Sequence, residues 1–232
     1  MRIDPMPPAT PQLQLETLFV LDGPRRMRET REPNPTPAPA FVFIRGATAC
    51  AWAVRADIAE REARELDRLA SAERPSTVWD QPLLHARRYQ DILGGDRIKS
   101  GPAFEFPDPL PCAGGERVVH DEAALNRHFT GWIPGEIASG RGPVIGIYED
   151  GHPVSICFCA RRSSVAAEAG VETAAASRGR DYAPRVAIAW AAAVREQGLA
   201  PLYSTSWANQ ASLAVARKLQ ILPFATNFSV DG

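Results

Sequence analysis

Apolar residues recur at helical spacing in one long stretch of the chain and alternate in several others, and these two periods predict the elements. In "SRGRDYAPRVAIAWAAAVREQG", residues 177–198, Val186, Trp190, Ala193 and Val194 fall on one stripe, so a helix is expected. Gly198 stands where a helix takes a left-handed residue just past its end. Ahead of this helix, apolar runs predict strands over 143–149, 153–160 and 165–173. The first two are joined by "EDG", a hairpin signal, with Val144, Ile145, Val154, Ile156 and Phe158 as the apolar cover. After the helix, "PLYSTSW" predicts a strand, Asn209 to Leu219 a short helix and "PFATNFSV" a final strand. Upstream, Asp121 is placed to cap a helix whose Leu125, His128, Phe129 and Trp132 share a face.

The amino-terminal half is less regular. Residues 13–21, "LQLETLFVL", alternate as a strand does, and 32–40, "EPNPTPAPA", is a proline-rich connector without ladder donors. "AFVFIRGATACAWAVRAD" predicts two short strands around an Arg45–Gly46 turn, then a charged helix capped near Asp57 with Ile58, Leu66 and Leu69 inward. Residues 74–117 are rich in proline and glycine and predict a long irregular connection or a lobe boundary. The chain therefore divides into an amino-terminal β-containing lobe with proline-rich loops, 1–110, and a second domain, 111–232. From Asp121 the order is helix, three strands, helix, strand, helix, strand. A strand-helix-strand unit joined to an antiparallel meander gives an α/β (α+β) fold with a mixed, mostly antiparallel sheet flanked by helices.

Composition changes this picture little. With 45% hydrophobic and 23% charged residues and a net charge of −1, the 232-residue chain has no electrostatic case for nucleic acid and fits a small-molecule partner. The basic residues are arginines except Lys99 and Lys218. Four cysteines are too few and scattered for a disulfide framework or a zinc spacing, and buried reduced thiols are expected at Cys157 and Cys159. The four histidines form no metal spacing. The start, "MRIDPMPPATPQ", has no apolar signal region and no run is long enough to span a bilayer, so a soluble cytoplasmic protein without a membrane partner is expected. Composition leaves a homodimer open.

The turn before the long helix carries the chemistry. A helix amino terminus leaves unpaired N–H groups and about half a positive charge, which suits a pyrophosphate, and Arg178 and Arg180 add cationic contacts. Glu168 and Glu172 lie four residues apart on a strand and so share a face, where either could accept a proton. Solvated strand carboxylates paired with nearby arginines are the other reading of this pair.

The block 168–219 resembles the GNAT superfamily of acyl-CoA-dependent N-acetyltransferases, and the likeness covers roughly the last 110 residues. The family's Q/R-x-x-G-x-G/A turn falls on Arg178, Gly179, Arg180, Asp181, Tyr182 and Ala183, and its N-x-x-S helix start on Asn209 and Ser212. The resemblance implies acetyl-CoA as cosubstrate, without a metal, and direct transfer to the amine of a small molecule or peptide. It implies that the turn amides hold the coenzyme A pyrophosphate while the strand near Val171 to Ala174, with Val171 and Thr173, pairs with the pantetheine. The thioester is then expected in a slot between residues near Thr173 and Ser204, with Glu172 as first choice of base and Glu168 as second.

Four positions depart from the family. Asp181 replaces the middle glycine, and a carboxylate about 5 Å from a phosphate charge costs on the order of 3 kcal/mol at an effective dielectric near 20. Asp181 either turns outward with Arg178 and Arg180 compensating, or caps its own helix and fills the anion site. Ala216 stands where relatives place a thiolate-protonating tyrosine, for which Tyr203 or Tyr182 could substitute, and Gln220 and Ile221 replace a glycine and a phenylalanine. A degenerate member that senses a ligand or binds a protein partner without catalysis is the alternative function. For the acceptor, His85 with Arg87, Arg88 and Tyr89 could line a site, and Trp132, Trp207 and Phe104 could wall it; core packing or a solvated helix face explains them equally well.

Overall fold

The computed structural model describes residues 7–95, 98–112 and 114–231. The first six residues of the amino-terminal segment, part of the stretch expected to carry no signal region, lie outside the described residues. The chain runs α1 (Pro11–Leu18), β1 (Phe19–Leu21), β2 (Arg26–Thr30), β3 (Phe41–Gly46), β4 (Cys50–Arg55), α2 (Glu60–Ala72), α3 (Ala86–Leu93), β5 (Ile98–Glu105) and β6 (Arg117–Val118). A 3₁₀ segment (Glu122–Arg127) and a wide turn (Ile137–Arg141) lead to β7 (Ile145–Glu149), β8 (His152–Arg162) and β9 (Ala166–Thr173). Then come α4 (Tyr182–Glu196), β10 (Ala200–Ser204), α5 (Gln210–Leu219) and β11 (Leu222–Val230). Among the described residues one mixed sheet is formed, in the order β1-β2-β4-β3-β11-β5-β10-β9-β8-β7-β6. Its pairs are antiparallel except β2 with β4 and β9 with β10, as the strand-helix-strand unit requires.

The sheet bends. Helix α1 lies against β3 and β4 at one end of the sheet and against β8 and β9 near the other, so the strands wrap around it and its Leu13, Leu15 and Leu18 are all buried. This corrects the strand expected over 13–21. Thr10 accepts from the Leu13 N–H and Pro11 takes the first turn, which fixes a helix start. A helix enclosed on most sides shows no single apolar stripe, so "LQLETL" imitates alternation. Only Phe19–Leu21 is strand. On the opposite face α4 packs across β7 to β10, burying Val186, Trp190 and Val194 against Cys157, Cys159, Ala167 and Ala169. Burial raises the pKa of both thiols, that of Cys159 to about 11.

The stretch 74–117 is not one irregular connection, because it holds α3 and β5. Gly101 and Pro102 hide β5 in the sequence, yet the strand pairs with β10 on one side and β11 on the other. Asp57 does not cap α2, which starts after Ala59 without a side-chain cap; it pairs with Arg55 instead. Asp121 does cap, accepting from the Ala123 N–H, but the element it starts is a single 3₁₀ segment, with Leu125, Phe129 and Trp132 buried and His128 exposed. No described helix is long and apolar enough to cross a membrane.

Candidate functional site

The site grows from the way two parallel strands part. β9 and β10 pair only through Ala200↔Ala166, Pro201↔Ala167 and Leu202↔Glu168. Beyond that point β9 stays with β8 up to Thr173, while the chain leaving β10 stays with β5, Thr205 donating to Pro102 O and Trp207 to Ser100 O. Gly101 makes room for this departure, since a Cβ there would stand 1.7 Å from the carbonyl oxygen of Thr205. The Ala174 N–H bonds β8 at Val154 O, so strand alternation turns the backbone polar groups of Val171 and Thr173 toward the gap.

A cleft of about 650 Å³ opens from this gap on the α4 side. Its walls include Val171, Glu172 and Thr173 of β9 and Tyr203 of β10, and it runs past Arg178, Gly179, Asp181, Tyr182 and Ala183 to Asn209 and Ser212 at the start of α5. Thus the strand, the turn and the second helix start named from the sequence meet around one space. Arg180 and Glu168 do not line it.

The turn is held from outside. Glu149 on β7 accepts from Ser177 Oγ at 3.1 Å, Arg180 at 2.8 Å and the Tyr182 hydroxyl at 2.7 Å. These bonds, Tyr182's foremost, keep its carboxyl below the ordinary value. With the side chains fastened there, the backbone faces inward. Among the described residues no acceptor takes the N–H groups of residues 179 to 183, and Pro184 has none to offer. Gly179 is left-handed at φ 78, with open space where a side chain would be. Arg178 bends back to the Thr173 carbonyl.

Asp181 does not cap α4. It sits in the left-handed region at φ 59, its carboxylate makes no bond to the helix amides, and it forms an ion pair with Lys218 of α5. Asp181 therefore keeps the backbone form that a glycine would take, and its charge has a partner. Gln220 does the same at the end of α5, left-handed at φ 53. Asn209 caps α5 through the Ser212 N–H at 3.1 Å, leaving the Ser212 side chain toward the cleft.

The proton-transfer candidates occupy different surroundings. Glu168 is 4% exposed at the root of the gap, directly across from Leu202. Burial raises its pKa, opposed by Ser204 and by Gln14, whose Nε2 donates to Oε2 at 3.2 Å. Its Oε1 has no hydrogen-bond partner within normal reach. Glu172 is exposed at the cleft wall, and solvent there discounts the upward push that nearby protein exerts on its carboxyl. Between them Gly170 lies under the ring of Phe158. The two carboxylates do share a face of β9, as expected from the period of two, but not a setting. Tyr203 is buried, its hydroxyl bonded to Ser212 O at 3.3 Å, and burial pushes its pKa up to about 12. Ala216 is buried.

The other sequence candidates lie elsewhere. Tyr89 is fully buried, stacked on Phe41 and bonded to Glu73, and Phe104 and Trp132 pack in cores against Tyr203 and Phe158. Two residues of the site were missed. Lys218 continues the Ser212–Val215 face of α5 at spacings of three, a pattern legible in the sequence; Glu149 acts across 28 or more positions and leaves no local signal. Among the described residues no cluster could hold a metal.

Residues 122–220 match the family model described as GNAT acetyltransferase. No curated protein matches the chain. Among solved structures, a GNAT-family protein from Novosphingobium aromaticivorans is 18% identical at a TM-score of 0.49; the match covers 59% of this chain, which spans 65% of that one. An acetyltransferase of the GNAT family from Colwellia psychrerythraea is 13% identical at 0.48, covering 78% and 76% of the two chains. A tandem GNAT protein from the clavulanic acid biosynthesis pathway is 14% identical at 0.48, covering 91% and 77%.

Proposed function

We propose, from the match of residues 122–220 to the family model described as GNAT acetyltransferase, that the protein is a GNAT acetyltransferase and transfers an acetyl group from acetyl-CoA directly to the amine of a small molecule or peptide. The observation that carries the reading is the parting of β9 and β10 beside a turn whose N–H groups have no acceptor. Those amides suit the two phosphates of the coenzyme, where the helix dipole and the cations Arg178 and Lys218 favour negative charge. The edge groups of Val171 and Thr173 suit the amides of the pantetheine, as one more strand would. The thioester then lies in the gap, where a strand N–H meets the charge that develops on its oxygen.

In the transfer the amine nitrogen attacks the thioester carbonyl, the carbon–sulfur bond breaks with its electron pair on sulfur, and the amine proton leaves to a base. We assign that base to Glu168 before Glu172, reversing the order drawn from sequence. Glu168 stands where the strands part, and a carboxyl raised by burial approaches the pH at which a base works best. The thiolate is a tolerable leaving group and takes its proton from Tyr203 or from water.

Calorimetry with acetyl-CoA and thiol release with a panel of amines test the proposal. Binding with amine-dependent thiol release is the expected result. Binding without release in any amine would favour the non-catalytic alternative, to which the buried Ala216 points; no binding removes both.

A further inference from the structure

The cleft reaches both faces of the sheet. Val171 of β9 stands opposite Cys157 and packs with the core under α4, whereas Glu172 stands opposite Ile156. Ile156 belongs to the other face, where it packs with Phe129, Trp132 and Phe158. Phe129 and His128 line the same cleft as Tyr203 and the turn. The space therefore passes through the gap between β9 and β10 and opens on the face away from α4, with Glu172 at that mouth. A donor laid along the turn and the edge of β9 leaves this second mouth to the acceptor.

The charges are sorted along the cleft. Arg178 and Lys218 lie at the turn, and the carboxylates of the wall are Asp181 and Glu172. Asp181 holds Lys218, and the nearby Glu149 and Glu136 hold Arg180 and Arg141. The Glu172 side chain, exposed at the mouth, differs from these three in having no hydrogen-bond or ion-pair partner among the described residues. Arg141 acts on it from a distance, but that guanidinium is bonded to Glu136 at 2.9 Å and lies over the rings of Trp132 and Phe158. With the proton assigned to Glu168, an unpaired carboxylate at the acceptor mouth is suited to a charge-assisted bond from a cation.

We infer that the acceptor carries a second cationic group besides the amine that reacts, and that Glu172 holds this group at the mouth of the cleft. The inference rests on the transfer reading above and narrows its acceptor from amines in general to diamines and related dications. Pairing of β9 with β10 ends at Glu168, and Glu172 is four residues further on, about 13 Å at the rise of a strand. The reacting nitrogen lies in the gap between them, so a short run of methylenes joins the two groups. Glu172 thereby determines specificity, and the proton still passes to Glu168.

The test follows thiol release from acetyl-CoA by the full chain with cadaverine, pentylamine and δ-aminovalerate, which share a length and differ in the charge at the far end. The kcat/KM for cadaverine is expected to exceed that for pentylamine about fivefold, with δ-aminovalerate lowest. Glu172→Gln should reduce the cadaverine advantage to the statistical one of its two equivalent ends, and Glu172→Lys should put δ-aminovalerate ahead of cadaverine. Each comparison is a ratio within one variant, so partial loss of folded protein does not alter it. No cadaverine advantage beyond the statistical one in the wild type, or one that survives Glu172→Gln while all three amines slow together, as loss of a base would cause, overturns the inference. If no amine releases thiol, the transferase reading falls and saturation-transfer NMR of the same amines decides. Cadaverine binding stronger than pentylamine binding and lost in Glu172→Gln keeps the cation site; equal binding, or none, overturns it.

Discussion

At the scale of single residues, Glu168 sets a conflict between stability and chemistry. Its pKa is raised by burial, so the folded state holds its proton more tightly than the unfolded chain does. The stability that this confers is complete below the ordinary carboxylate range and is lost as pH rises through the raised value. Glu168→Gln keeps the shape and removes the charge. It should therefore melt at the same temperature as the wild type near pH 4 and higher at pH 8, by about 2–4 °C for each kcal/mol recovered. The same variant should transfer acetyl groups about 10²–10⁴-fold more slowly, and the wild-type rate should rise with pH through the raised pKa. A variant with unaltered rate and no pH-dependent gain in melting temperature would remove Glu168 from both roles. Asp181 poses the complementary case. It is left-handed already, so Asp181→Gly relieves the backbone and the repulsion together and frees Lys218; calorimetry should show acetyl-CoA binding about tenfold tighter. Lys218→Ala exposes the carboxylate and should weaken binding by about as much.

At the scale of elements, the gap exists because β10 follows β5 while β9 follows β8. Gly101 is the hinge of that divergence, and the 1.7 Å approach of Thr205 O to a would-be Cβ is backbone against backbone, which no rotamer change relieves. Gly101→Ala should cost several degrees of melting temperature, about 2–4 °C per kcal/mol, and should weaken acetyl-CoA binding, whereas Gly179→Ala, with open space but φ 78, should lose about 1 kcal/mol through conformation alone. Circular dichroism melts and calorimetry separate the two. The same contrast explains what the sequence made legible. From β7 to β11 the strands are continuous apolar runs, β8 and β10 buried on both faces, and the helices carry one buried stripe each, so runs and spacing located them, and the cleft follows from their order. β5 and α1 were hidden because tertiary contacts override local signals: a Gly-Pro pair is tolerated between two partner strands, and a helix enclosed by a curved sheet loses its apolar stripe. The turn was legible as a motif, but the Glu149 and Lys218 contacts that hold it depend on side chains brought together only by the sheet. The role of Asp181 was open in the sequence for that reason.

At the scale of the molecule, the two halves share a sheet. The family match spans 122–220, yet β5, from the first 110 residues, lies between β10 and β11 and pairs with both, and β3 covers the other edge of β11. Without those strands β11 has no partner at either edge, β10 keeps only its short pairing with β9, and Phe104 no longer covers Tyr203. Helix α1 in addition seals Glu168. A fragment 111–232 would expose two unpaired strands and an apolar face, the condition that leads to aggregation. It is expected to be insoluble or to lack dispersed amide resonances, and to recover acetyl-CoA binding when produced together with 1–110. The intact chain should melt in a single transition with coincident near- and far-ultraviolet signals, because strands from both halves alternate in the order β3-β11-β5-β10 and neither half can leave without breaking the other's ladder. A soluble 111–232 fragment that binds acetyl-CoA as the full chain does would show instead that the amino-terminal half is an appended lobe.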